Sequence, residues 1–154
     1  MTEYRITKYN PINRDNDGIY TVEEWTCFSD IGSVFNGTKL TEEIYLKTEE
    51  AYINCCLELI DKGQISILSL ENVESYREDI DIPTKVSNVE EIRQVIRACL
   101  REQCWFKLVG KDFFIHFGWD YYMYVGSTLP SKMVEQVAEK LGLYCEIFDS
   151  PYNE

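Results

Sequence analysis

The chain has 154 residues, with 27 acidic against 15 basic side chains and a formal net charge of -12. That length suits a single domain that buries about two thirds of its unfolded surface without disulfides or a metal. The charge argues against a phosphate-backbone ligand, because nucleic-acid binders present basic faces, and it makes a basic protein the natural complement.

"EYRITKY", residues 3–9, alternates and is rich in β-formers, so it reads as a first strand ended by Asn10-Pro11. A polar loop follows, and residues 19–35 carry aromatics at irregular spacing, as a short strand or a folded loop would. Thr41 caps a first helix whose opening turn holds Glu42 and Glu43 and which runs to Lys62-Gly63, with Tyr45, Tyr52, Cys56, Leu59 and Ile60 on one face. "QISILSL", residues 64–70, reads as a strand. Residues 71–83, with five acids against one arginine and neither a helical nor a strand period, read as an exposed loop. Ser87 with Glu90 fits a capping box, and Val89, Ile92, Val95, Ile96, Cys99 and Leu100 recur at helical spacing.

Three apolar runs then span residues 104–125, separated by Gly110-Lys111 and Gly118-Trp119. Glycine in the first central position is what a two-residue type II′ turn requires, so the runs predict a three-strand meander. Those turns set Val109 opposite Asp112 and Phe117 opposite Asp120. One face then carries Cys104, Phe106, Leu108, Phe113, Ile115, Phe117, Tyr122 and Tyr124, and is expected beneath the helices. The other carries Trp105, Lys107, Val109, Phe114, His116, Tyr121, Met123 and Val125. Pro130 opens a third helix with Met133, Val134, Val137, Ala138 and Leu141 inward and Gly142 at its end, and residues 143–148 form a last strand. The expected fold is one α+β domain: a largely antiparallel sheet including the meander at 104–125, with three helices mainly on one face.

His116 is the one histidine, and it sits mid-strand among aromatic rings. Asp112 shares its predicted face but lies about 13 Å along the strand, too far to orient an imidazole. No catalytic residue is therefore assigned. The six cysteines include no C-x-x-C pair and read as small buried apolar residues, so no metal site is expected, and no phosphate loop or other cofactor motif is present. The acid pairs Glu23-Glu24, Glu42-Glu43, Glu49-Glu50 and Glu90-Glu91 read mainly as solvated faces. The opening residues lack an apolar leader, and no run of about eighteen apolar residues occurs, so the expected location is the cytoplasm, with no membrane contact.

Gly18-Ile19-Tyr20 and Asp30-Ile31-Gly32 resemble the paired elements of the GIY-YIG nucleases, but Asp30 replaces the second tyrosine and no arginine or histidine follows before Arg77. The nuclease chemistry is not carried over. "RITKYNP" with "EEWTCFSDIG" resembles the openings of small acidic cytosolic bacterial proteins, similar in size and charge to the immunity proteins of polymorphic-toxin systems. That resemblance implies a non-enzymatic module that neutralises a basic toxin domain, such as a nuclease, by binding it. The expected contact residues are Glu71, Glu74, Tyr76, Glu78, Asp79 and Asp81. A rival contact surface is the sheet face of Trp105, Lys107, Phe114, His116 and Tyr121. The alternatives are a small enzyme working on that sheet face and an adaptor or structural subunit.

Overall fold

The computed structural model describes residues 1–153. Its strands are β1 (Thr2–Thr7), β2 (Val34–Phe35), β3 (Thr38–Lys39), β4 (Leu68–Ser75), β5 (Lys85–Val86), β6 (Cys104–Gly110), β7 (Phe113–Phe117), β8 (Met123–Ser127) and β9 (Tyr144–Ile147). The helices are α1 (Glu42–Lys62), α2 (Val89–Leu100) and α3 (Ser131–Lys140). Seven strands form one sheet in the order β5-β4-β6-β7-β8-β1-β9, every neighbouring pair antiparallel, and β2 and β3 form a separate hairpin. The fold is α+β, as the pattern of elements requires.

The helices start where short polar side chains can satisfy free N–H groups. Thr41 Oγ1 accepts from the Ile44 N–H at 3.2 Å and opens α1. On α2 the cap is Asn88 rather than Ser87: its Oδ1 accepts from the Glu91 N–H at 2.8 Å, and Glu91 takes the Asn88 side-chain amide at 2.7 Å. Val89, expected on the inward face, is the first residue of the helix and is 61 % exposed, while Ile92, Val95, Ile96, Cys99 and Leu100 are buried. Val134, Val137 and Ala138 bury α3, with Met133 and Leu141 at its margin.

One contiguous apolar cluster lies between the helices and the sheet, with Tyr4, Ile6, Phe106, Leu108, Ile115, Met123 and Val125 supplied by the strands and Tyr45, Tyr52, Ile53, Leu59 and Ile96 by the helices. Each such side chain contributes about 1.5–3 kcal/mol relative to exposure.

The meander forms, but both turns differ from the type II′ expectation. Gly110 pairs with Phe113, so the first turn is Lys111-Asp112, with the positive φ at Asp112. The turn moves by one residue on each strand, so the facing partner changes by two and the face assignment of β6 and β7 survives. The second connection spans residues 118–122 and pairs Phe117 with Met123. Three extra residues reverse the parity of β8: Met123 and Val125 face the helices, and Tyr124 turns to the other side beside His116. Gly118 has φ -84, so its turn does not need a glycine for its dihedral; a Cβ there would meet the Tyr122 carbonyl and the Tyr124 ring at 3.2 Å.

The strand expected at 64–70 begins at Leu68 and runs on to Ser75. Glu71 and Glu74 are therefore strand residues, not loop residues. The pairing slips between them, with Asn72 at φ 53, which is a β-bulge.

Candidate protein-binding face

Alternation along the strands leaves one sheet face without a helix. Arg5, Trp105, Lys107, Phe114, His116 and Tyr124 stand on it, opposite in direction to Tyr4, Phe106, Leu108, Ile115 and Val125. Three-residue spacing on a regular strand would put Glu71 and Glu74 on opposite sides. The bulge instead sets Glu71 against Lys107 and Glu74 against Trp105, so both acids border this face. The two contact surfaces that the sequence offers as rivals are thus neighbours. Tyr121 does not belong to them. It lies on the helix side, where its hydroxyl shares a 2.5 Å hydrogen bond with that of Tyr45 and its carbonyl accepts from the Tyr52 hydroxyl at 2.7 Å.

The C-terminal residues cross the face. The Phe148 N–H donates to the Glu3 carbonyl at 3.1 Å, and the Arg5 guanidinium lies 4.0 Å from the centre of the Phe148 ring. Glu3 Oε1 accepts from the Ser150 N–H at 2.9 Å and from the Asn153 side-chain amide at 2.8 Å. Tyr152 then packs on Trp105 and Tyr124, with ring centres 5.6 and 6.0 Å away.

His116 lies under this strap, 4 % exposed, stacked on Phe114 at 4.1 Å and sharing a 2.7 Å hydrogen bond through Nδ1 with Ser150 Oγ. Burial, helped by the Lys107 charge, pushes its pKa down to about 4. A hydroxyl partner for His116 therefore exists, 34 residues further along the chain, where no spacing rule could find it. Ser150 Oγ also accepts from the Tyr152 N–H at 3.2 Å and the residue is 6 % exposed, so in this arrangement the pair fastens the strap.

Beyond the bulge, the Tyr76 N–H donates to the Gln103 carbonyl at 3.0 Å, Arg77 pairs with Asp79, and Ile82 packs against the core. Residues 76–84 are thereby anchored at both ends, with Glu78, Asp79 and Asp81 exposed. The Tyr76 hydroxyl donates to Glu74 at 2.8 Å; burial and that carboxylate push its pKa up to about 12. Tyr76 and Trp119 are 47 % and 52 % exposed and their rings lie 6.2 Å apart. Sequence reasoning left Trp119 inside a tight turn and out of the candidate site. Its exposure follows from the longer connection.

A second polar cluster departs from the solvated reading of the Glu49-Glu50 pair. Glu49 has no exposed surface, and it accepts from Arg97 Nε at 3.0 Å, from Arg101 at 2.8 and 3.0 Å, and from the Tyr45 hydroxyl at 2.6 Å. Burial raises its carboxyl, but the hydrogen bonds from Arg101, Tyr45 and Arg97 outweigh it and hold the pKa below the ordinary carboxylate value. The sequence signal is the arginines at 93, 97 and 101, which recur every four residues along α2 and its C-terminal cap. This cluster joins two helices.

All six cysteines are free thiols, and Cys55, Cys56, Cys99 and Cys104 are buried. Among the described residues no group of three or more His, Cys, Asp or Glu side chains is placed to hold a metal ion, and no helix is long and apolar enough to cross a membrane. No family model, curated protein or solved structure matches the chain.

Proposed function

We propose that the protein is a non-enzymatic, cytoplasmic binding module of the immunity type, which neutralises a basic toxin domain, such as a nuclease, by occupying its cationic surface. The observation that carries this reading is the border of the helix-free sheet face, where the exposed acids Glu71 and Glu74 flank the exposed rings of Tyr76 and Trp119, and Glu78, Asp79 and Asp81 follow, exposed, in the segment just beyond Tyr76. Charge of that density on a chain of net charge -12 accelerates encounter with a basic surface, and aromatic side chains supply the buried contact that holds it. Acids presented to a nuclease would take the positions of nucleic-acid phosphates.

The test is the rate of association with a basic toxin domain, sought first among the products of neighbouring genes, followed across salt concentrations for the native chain and for a variant with Glu74, Glu78, Asp79 and Asp81 all changed to their amides. The variant should associate at least about tenfold more slowly at low salt, with a flatter salt dependence and nearly unchanged thermal stability. Equal rates at every salt concentration would reject the reading. The Ser150–His116 hydrogen bond favours one second reading, a serine hydrolase opened by movement of the strap. Labelling of Ser150 by a fluorophosphonate, lost in His116→Gln, would establish it in place of the first.

A further inference from the structure

Glu74, Tyr76, Trp105, Trp119 and Tyr152 line a cavity of about 210 Å³ at the edge of the open face. Four of the five are aromatic, and they come from four parts of the chain: β4 and the residue after it, β6, the 118–122 connection and the C-terminal strap. The cavity lies below the size at which small-molecule sites are usually built, about 300 Å³, and suits one inserted side chain.

We propose that this cavity is an aromatic cage for an arginine side chain of a basic protein partner. The proposal rests on the protein-binding reading and names how that surface recognises its target. Aromatic faces carry negative potential and attract a cation placed over them. Trp105 is held in place by its indole N–H, which donates to the Phe117 carbonyl at 2.7 Å, and by the Tyr152 ring packed 5.6 Å away. Tyr76 is held through its hydroxyl, which donates to Glu74 at 2.8 Å, and its ring lies at 30° to that of Trp119. Trp105 and Tyr76 are thus positioned before any partner arrives, which lowers the ordering cost of binding.

Glu74 decides what the cage accepts. An apolar side chain would cover the carboxylate without replacing its water, which is unfavourable. A guanidinium satisfies it: the carboxylate offers about four acceptor positions, Tyr76 takes one, and two parallel N–H donors can take others. Arginine is favoured over lysine because its planar group also stacks on rings.

The probe is the peptide acetyl-Gly-Arg-Gly-amide, with the neutral citrulline peptide as its isostere, titrated into the intact protein. The indole N–H resonances of the three tryptophans report on the site, since Trp105 and Trp119 line it and Trp25 is buried on the helix side. The arginine peptide should shift the Trp105 and Trp119 signals saturably, with a Kd on the order of millimolar, and leave Trp25 in place. The citrulline peptide should shift none. Glu74→Gln, which keeps an acceptor for Tyr76, and Trp119→Leu, which changes an exposed ring, should each weaken binding at least about fivefold.

Unshifted Trp105 and Trp119 signals, or equal shifts with citrulline, overturn the cage. If that happens while the four-acid variant still slows association with the toxin, the protein-binding reading stands without it. Saturable binding of the arginine peptide supports the cage even if the toxin association proves insensitive to those four acids.

Discussion

Replacing Glu49 by glutamine removes one charge from a site with no solvent access and leaves the side-chain shape unchanged. The native carboxylate accepts four hydrogen bonds, two of them from Arg101 in a bidentate arrangement. Removing one partner of a buried ion pair costs about 3–5 kcal/mol, most of it the desolvation of the charge left behind. Here the guanidinium side chains of Arg97 and Arg101 keep 34 % and 25 % of their surface in water, and Arg97 retains a 2.7 Å contact with Glu50, so the lower end applies. The expected loss is about 3 kcal/mol, or about 6–12 °C in Tm for a chain of this size. Urea and thermal unfolding at pH 7 measure it.

The pH dependence supplies an independent check. The folded pKa of Glu49 is depressed, so its contribution is present above the unfolded carboxyl value, near 4.5, and is lost as pH falls through the folded one. The stability difference between the native chain and Glu49→Gln should therefore shrink as pH falls below about 4.5. A loss under about 1 kcal/mol at pH 7, or parallel stability curves below that pH, would refute the reasoning.

Two further outcomes follow from packing and burial. A Cβ on Gly126 would lie 2.2 and 2.5 Å from atoms of the Phe114 ring and 2.6 Å from Met1 Sδ, so Gly126→Val should lower the urea midpoint by the equivalent of about 1–3 kcal/mol. Adding Phe114→Ala should recover part of that loss, and an unchanged midpoint in the single variant would contradict the packing. The His116 ring should stay neutral in its NMR titration down to about pH 4. Because its folded pKa lies below the unfolded value of 6.5, stability should fall as pH drops from about 6.5 toward 4, and His116→Gln should flatten that slope. A His116 titration midpoint near 6.5 would show that the strap does not bury it.

The sequence by itself determined the elements whose signals are local. Thr41 and the spacing of Tyr45, Tyr52, Cys56, Leu59 and Ile60 define α1, because capping and the 3.6-residue period act within a few turns. Alternation in "CWFKLVG" and "FFIHF" gave the correct faces of β6 and β7 even though their turn lies one residue from the expected place, since that displacement preserves parity. The face of β8 was not legible, because it depends on the length of the connection before it. That length is set by Tyr121, held at φ 66 beneath α1 by Tyr45 and Tyr52, and a non-glycine residue persists there only when surrounding contacts over-determine it.

The candidate site divides in the same way. Its acids and rings stand in the sequence as composition, with Glu71, Glu74, Tyr76 and Trp105 already assigned to contact surfaces. Only the tertiary structure decided that a bulge in β4 brings Glu74 beside Trp105, that residues 148–153 close over His116, and that Tyr121 belongs to the core. It also decided that Glu49 is buried, since a helical period identifies which residues share a face but not which other helix that face will meet. Local patterns follow from bonded geometry over a few residues, whereas these placements depend on contacts between segments tens of residues apart, whose pairing is fixed by how all the elements pack at once.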